Sequence, residues 1–395
     1  MRRARRVGLL IYSNGWGGME IHAATLARLL AQRGHEVVIA ELGESFFARR
    51  GDFDASRGVR LESADLGRPF NQAGFIRWWR YLRRLRLDVV VFVKGWTAVG
   101  GLRLDLAARV ACRRFMTIEQ LAPPPRPVFR RGRHLGGLLP GLGLWWFRQM
   151  AAVYARSVGP KRIVGVSRAV TRELAAYGFP IRKLVAVPNG IDAERFRRSP
   201  EKRGALRAAW GVPADALLFG TVGRLATLHK GQDIALSLLA RLRQRQPEYA
   251  FRYVLVGDGP DRAALEAQAG ALGLAGQVIF AGHTDLAWEV YSAIDVLLMP
   301  SHIEGTPFAL MEAMASECCP IAMGVGGIPE VINDSSVGWL ISPGDRDDFL
   351  AAMEAAQRAG EEERRAMGRR ARQHIARNFR AEENFARLAD LVEGL

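Results

Sequence analysis

Apolar residues recur along this chain in two rhythms, short unbroken runs and longer stretches at helical spacing. Val7 to Ser13 is such a run and predicts a strand, with the glycine-rich loop Asn14-Gly15-Trp16-Gly17-Gly18 after it. From Met19 to Arg33 the apolar positions Ile21, Ala24, Leu26, Leu29 and Leu30 follow a helical period, and Gly34 ends the helix. Val37 to Ala40 is the next strand. Phe75 to Arg86 predicts a basic amphipathic helix, and Asp88 to Val93 and Arg114 to Glu119 predict strands. Ile163 to Ser167, Arg168 to Tyr177 and Leu184 to Pro188 then read as strand, helix, strand.

The second half keeps the rhythm. Its predicted strands are Leu217 to Gly223, Tyr253 to Val256, Val278 to Phe280, Ile294 to Met299 and Pro320 to Met323. Its predicted helices are Gln232 to Arg243, Asp261 to Leu272 and Phe308 to Ser316, with a charged helical tail from Glu361 to Leu395. Strand, loop, helix, strand, repeated in both halves, predicts parallel α/β sheets with ligand crevices at the strands' carboxyl ends.

The stretch Pro300 to Ile332 carries the most chemistry. Gly305 and Pro307 break the chain after the strand, and Pro307 suits the start of the helix. Glu304 lies in the loop and Glu312 about one helical turn inside. The unbonded N–H groups of that turn, from Phe308, Ala309 and Leu310, favour a phosphate. A carboxylate beside such a site can accept hydrogen bonds from sugar hydroxyls. Two surface glutamates on an ordinary helix remain the plain alternative. Arg224 and Lys230 follow another strand end, at Gly223, and suit a diphosphate.

Composition narrows the class. Residues 1–190 hold 33 Lys and Arg against 12 Asp and Glu, or +21, whereas the rest hold 23 against 28, or −5. The asymmetry suggests two domains with different partners, the first suited to an anionic surface, unless it reflects a general arginine habit. Phe75 to Arg86 and the tract Arg130 to Arg148, with Trp145 and Trp146, combine basic and aromatic residues. The tract suits a headgroup interface or a buried connection equally. No nucleic-acid motif appears, so nucleic acid is not expected as a partner. Cys112, Cys318 and Cys319 are too few for a disulfide framework, and the seven histidines show no metal-ligand spacing. A cytoplasmic protein is expected. MRRARRVGLLIYS resembles a leader, but Val7 to Ile11 is too short for one. No apolar stretch approaches the roughly 20 residues that span a bilayer.

EGTPFALMEAMASECCPIA resembles the Glu-x7-Glu motif of the retaining glycosyltransferases of family 4, which have the GT-B architecture. Glu304, Gly305, Pro307, Glu312, Ala313, Met314, Ala315 and Pro320 match it, while Glu317 and Cys318 replace the usual Gly-Cys or Gly-x. GGMEIHAATLARLLAQRGHEVVI, PNGID, GRL followed by Lys230-Gly231, and VGDGP extend the resemblance over roughly residues 7–375, most loosely between 43 and 160.

The resemblance implies a GT-B fold of two Rossmann-like domains facing across a cleft. The expected domains are 1–190 for the acceptor, 191–375 for the donor, and a helix at 376–395 packing back on the first. It implies retaining transfer from a nucleotide-diphosphate sugar to a glycan or lipid-linked acceptor, in cell-surface polysaccharide or lipopolysaccharide synthesis. No obligatory cofactor or metal is implied. Peripheral attachment to the inner face of the cytoplasmic membrane would suit the basic first half. Arg224, Lys230 and Glu304 would be catalytic. Gly17, Gly18, Gly223, His283, Thr284, Phe308, Ala309, Leu310 and Glu312 would bind the donor. Glu119 stands where the family tends to have a histidine and would contact the sugar or acceptor. A nucleotide-sugar epimerase, a phosphorylase and a nucleic-acid-binding protein remain the alternatives.

Overall fold

The computed structural model describes residues 4–12, 17–42, 58–63, 72–95, 101–122, 159–284 and 286–395. The chain divides into two compact units, Met1–Pro188 with Glu383–Leu395, and Asn189–Glu382. The tract Arg130 to Arg148 and the loop residues Asn14, Gly15 and Trp16 lie outside the described residues.

The first unit is built on β1 (Arg6–Ile11), β2 (Glu36–Glu41), β3 (Val59–Ser63), β4 (Val89–Lys94), β5 (Phe115–Glu119), β6 (Arg162–Gly165) and β7 (Leu184–Ala186). Its described helices are α1 (Gly18–Gln32), α2 (Gln72–Arg84), α3 (Gly101–Ala111) and α4 (Arg168–Ala176). The strands form one sheet in the order β3-β2-β1-β4-β5-β6-β7, and every pairing in it is parallel. Every residue of β4 and β5 is buried. Helices on both faces of a parallel sheet explain why such strands read as unbroken apolar runs.

The second unit contains α5 (Pro200–Ala209), β8 (Leu217–Val222), α6 (Thr227–Lys230), α7 (Gln232–Arg245), β9 (Phe251–Val256), α8 (Arg262–Ala271) and β10 (Val278–Gly282). There follow α9 (Ala287–Ala293), β11 (Val296–Met299), α10 (Phe308–Ala315), β12 (Cys319–Met323), α11 (Ile328–Val331), β13 (Trp339–Ile341), α12 (Arg346–Arg358) and α13 (Glu361–Asn378). The sheet order is β10-β9-β8-β11-β12-β13, again all parallel. Consecutive strands add outward from β8 on one side and from β11 on the other. The β8/β11 junction is therefore the topological switch point, the place where open parallel sheets bind ligands. In the first unit the same reversal falls between β1 and β4.

The tail is two helices rather than one. The α13 helix ends at Asn378, and Arg380 forms an isolated bridge with Ile191 before α14 (Ala381–Glu393) begins. Most of α14 belongs to the first unit. Phe385 packs on His22 with ring centroids 5.0 Å apart, and Arg33 pairs with Asp390 at 2.7 Å. Cys112, Cys318 and Cys319 are buried free thiols. Among the described residues no helix is long and apolar enough to cross a membrane.

Candidate active site

The second unit's switch point gathers charge. After β8 the chain turns at Gly223, runs through the exposed Arg224 and forms the single turn α6, which ends on Lys230. The next residue, Gly231, has φ +65°, and a Cβ there would run into the Pro300 carbonyl. Glycine at this position lets the Lys230 loop lie against the loop that follows β11. That second loop carries Ser301, His302 and Glu304. The His302 N–H donates to the His229 carbonyl at 2.8 Å, tying the two loops together. Gly326, at φ +54°, packs against the Glu304 carbonyl, where a Cβ would not fit.

This scaffold brings Lys230 and Glu304 into contact. Lys230 Nζ donates to Glu304 Oε1 at 2.8 Å, and Ser301 Oγ donates to the same oxygen at 2.8 Å. The Glu304 side chain is 6% exposed, whereas that of Lys230 is 30% exposed. His229 shares the neighbourhood. Burial lowers its pKa, and Lys230, Arg224 and His302 lower it further, against the opposing charge of Glu304. Arg224 is held through its carbonyl, which accepts from Gln232 Nε2 at 2.9 Å.

The α10 helix starts beside this cluster. Its N-cap is Pro307, with no side-chain cap hydrogen bond, so the N–H groups of Phe308, Ala309 and Leu310 are first-turn donors without an intrahelical acceptor. Asn189 Nδ2 donates to the Thr306 carbonyl at 2.8 Å and steadies the loop before it. Further along α10, Glu312 Oε2 accepts from Tyr291 Oη at 3.0 Å. Burial raises the Glu312 carboxyl to about 7, although the Tyr291 hydrogen bond and Arg195 both favour its charged form. His283 is exposed past the end of β10, two strands from β8. The Thr284 hydroxyl accepts from the Leu286 N–H at 3.0 Å, which shapes the turn.

Three expected site residues belong to the first unit. Gly17 and Gly18 open α1, and the Gly17 carbonyl accepts from the Ile21 N–H at 3.1 Å. Gly17 is extended, at φ −169°, a backbone conformation that does not require glycine. Glu119 ends β5 at 2% exposure, in register with Lys94 at the end of β4. Lys94 Nζ donates to Asp105 at 2.6 Å, with side-chain exposures of 3% and 5%. Burial disfavours the Lys94 ammonium, but Asp105 and Glu119 outweigh it and raise its pKa. Glu119 therefore has a role inside the first unit, beside the sugar or acceptor contact expected of it. Its carboxylate is a buried counter-charge to Lys94, which burial alone would have driven neutral. Register cannot be read along one strand, so the sequence carried no sign of this partner. Tyr291 and His229 gain their roles from partners on other elements, and Ser301 from the fold of its own loop onto Glu304, none of which the sequence shows.

Two family models cover the chain between them, "Glycosyltransferase Family 4" over residues 16–195 and "Glycosyl transferases group 1" over 202–374. The chain belongs to the family 4, group 1 glycosyltransferases. A D-inositol 3-phosphate glycosyltransferase of Saccharomonospora viridis is 36% identical over 201 residues, 48% of this chain and 46% of that one. A GDP-mannose-dependent alpha-(1-6)-phosphatidylinositol monomannoside mannosyltransferase of Mycolicibacterium smegmatis is 29% identical over 262 residues, 63% of this chain and 67% of that one. The chain spans about half the length of the first curated relatives it matches. Anabaena HepE, solved with UDP and glucose, superposes with a TM-score of 0.79 at 18% identity, covering 99% of this chain and 100% of that one. The likeness to HepE shows the fold, which is GT-B with two Rossmann-like domains.

Proposed function

We propose that this glycosyltransferase moves a hexosyl group from a nucleotide-diphosphate sugar to a hydroxyl of a glycan or lipid-linked acceptor, with retention of anomeric configuration. The Lys230–Glu304 pair at the switch point carries the reading, because it sets a cation for diphosphate and a carboxylate for sugar hydroxyls side by side. Arg224 and Lys230 bind the diphosphate, together with the first-turn N–H groups of Phe308, Ala309 and Leu310. Glu312 takes the ribose hydroxyls and Glu304 faces the donor sugar. Gly223 gives the diphosphate room, and His283 and Thr284 border the base. Gly17 and Gly18, at the start of α1, are further donor-binding candidates on the family resemblance.

The bond between the sugar's anomeric carbon and the diphosphate oxygen breaks, and the acceptor oxygen takes that carbon from the same face. The acceptor's proton passes to the departing phosphate oxygen. Negative charge on the diphosphate peaks as it leaves, so Arg224 and Lys230 stabilise the transition state more than the bound donor. By likeness to the inositol-phosphate and phosphatidylinositol-mannoside relatives, a polyol phosphate or a lipid headgroup is the acceptor class to test first. The exposed Ile76, Arg77, Arg80, Arg83 and Arg84 of α2 favour an acceptor presented at an anionic membrane. Binding to anionic but not neutral vesicles is the expected result.

A donor screen tests the reaction. Incubation with UDP- and GDP-sugars should release free sugar slowly from one donor, and faster transfer should follow once an acceptor is supplied. No hydrolysis, no transfer and no binding of any nucleoside diphosphate would overturn the reading.

A further inference from the structure

Glu304 is held more firmly than a donor-binding carboxylate requires. One oxygen, Oε1, accepts both from Lys230 Nζ and from Ser301 Oγ, and its own carbonyl is packed against Gly326. Lys230 by contrast keeps nearly a third of its side chain open. A ligand can therefore reach the lysine without displacing the carboxylate. Any phosphate that does so meets a cation already opposed by a fixed negative charge.

We propose that Glu304 is a specificity-determining residue that makes the site prefer the nucleotide sugar over the nucleoside diphosphate left after transfer. The inference rests on the reading of Lys230 as a diphosphate ligand. The two ligands differ at the end that faces Glu304. The nucleotide sugar presents hydroxyl donors there, and its terminal phosphate is esterified. The product presents one more oxyanion and no hydroxyl. A carboxylate accepts hydrogen bonds from the first and repels the second. Once the sugar has moved, Glu304 draws Lys230 back and the diphosphate is released. The charge that holds the donor sugar thus also clears the site.

Glu304→Gln removes the charge and keeps the shape. Calorimetric titration with UDP and GDP should show the preferred diphosphate binding about three- to tenfold tighter than in the parent. Inhibition of donor hydrolysis by the diphosphate should strengthen in step, while KM for the nucleotide sugar does not fall and kcat does. Glu304→Asp draws the carboxylate back by one methylene and should show a smaller gain. In a Lys230→Met background the Gln substitution should tighten binding less, because no lysine is released. Equal or weaker diphosphate binding by Glu304→Gln, with Lys230→Met still weak, would overturn the inference and leave the diphosphate site standing. Parent-like binding by Lys230→Met would overturn the diphosphate site itself, and the inference with it.

Discussion

Each unit has a lysine paired with a carboxylate at the carboxyl end of its sheet, beside the strand pair where the order reverses. In the first unit Lys94 and Asp105 are 3% and 5% exposed, and Glu119 closes the group. In the second unit Glu304 is just as buried, but Lys230 is 30% exposed. A parallel α/β topology supplies such a place in any doubly wound domain. What distinguishes a ligand site from an internal prop is which partner stays open. Lys94 donates inward to Asp105, and its loss would leave that buried carboxylate without its cation. Lys230 keeps an open side, and its loss would strand one carboxylate that Ser301 still supports.

The largest expected effect follows from that contrast. Lys94→Met should lower stability by about 3–5 kcal/mol, the cost of leaving a buried charge unpaired. Denaturant melts followed through the first unit would show it, and a loss under about 1 kcal/mol would make the Lys94 group as dispensable as a surface pair.

Arg224→Ala or Lys230→Ala should weaken nucleoside diphosphate binding about 10- to 100-fold, since each charge-assisted hydrogen bond is worth roughly 1.5–3 kcal/mol. Affinity for the nucleoside alone should hardly change. The double variant should fall short of the summed losses, because both cations act on one group. Titration of nucleoside and diphosphate side by side would separate a diphosphate site from two surface cations.

Glu312 sharpens the contrast through pH. Burial first, against the Tyr291 hydrogen bond and Arg195, raises its carboxyl to about 7. Two ribose hydroxyls need the ionised form, so nucleotide affinity should fall about tenfold from about pH 8 to about pH 6, following the ionised fraction. Stability runs the other way. A raised folded pKa gives a contribution fully present below the ordinary carboxyl value and lost as pH rises through about 7. Acidification should thus firm this group's share of stability while loosening the nucleotide. Glu312→Gln should flatten both, and an unchanged affinity profile in that variant would remove Glu312 from the ribose.

The smallest effect belongs to pairs that look alike on paper. Arg262 and Glu266 meet at 2.8 Å, with side chains 35% and 46% exposed. Glu266→Gln should change stability by less than about 0.5 kcal/mol in the same melts.

The central strands were legible because burial on both faces leaves unbroken apolar runs, as in β1, β4, β8 and β11. The edges were not. Val59–Ser63 alternates polar residues and is largely open, and Trp339–Ile341 is three residues long. Two helices were overlooked despite a cap in plain view. Ser199 accepts from the Lys202 N–H and Asp345 from the Asp348 N–H, the N-cap signature that Ser and Asp provide. Arg224, Lys230, Glu304 and Glu312 could be picked out because the motif places them on strand-end loops and a helix start. Tyr291 and His229 could not, because Glu312 and the His302 N–H reach them from other elements, and Ser301 could not because its bond to Glu304 depends on how the loop folds back. Lys94 closes an apolar run, and only register shows that it meets Glu119.

One measurement sets the two lysines against each other directly. Thermal melting of the parent, Lys94→Met and Lys230→Met, each with and without saturating UDP or GDP, reads stability and ligand binding together. Lys94→Met should melt well below the parent yet keep the stabilisation by the preferred diphosphate. Lys230→Met should melt nearer the parent than Lys94→Met does and lose that stabilisation. If Lys230→Met kept the full ligand shift, or Lys94→Met melted like the parent and lost it, the assignment of one pair to structure and the other to the donor would be contradicted.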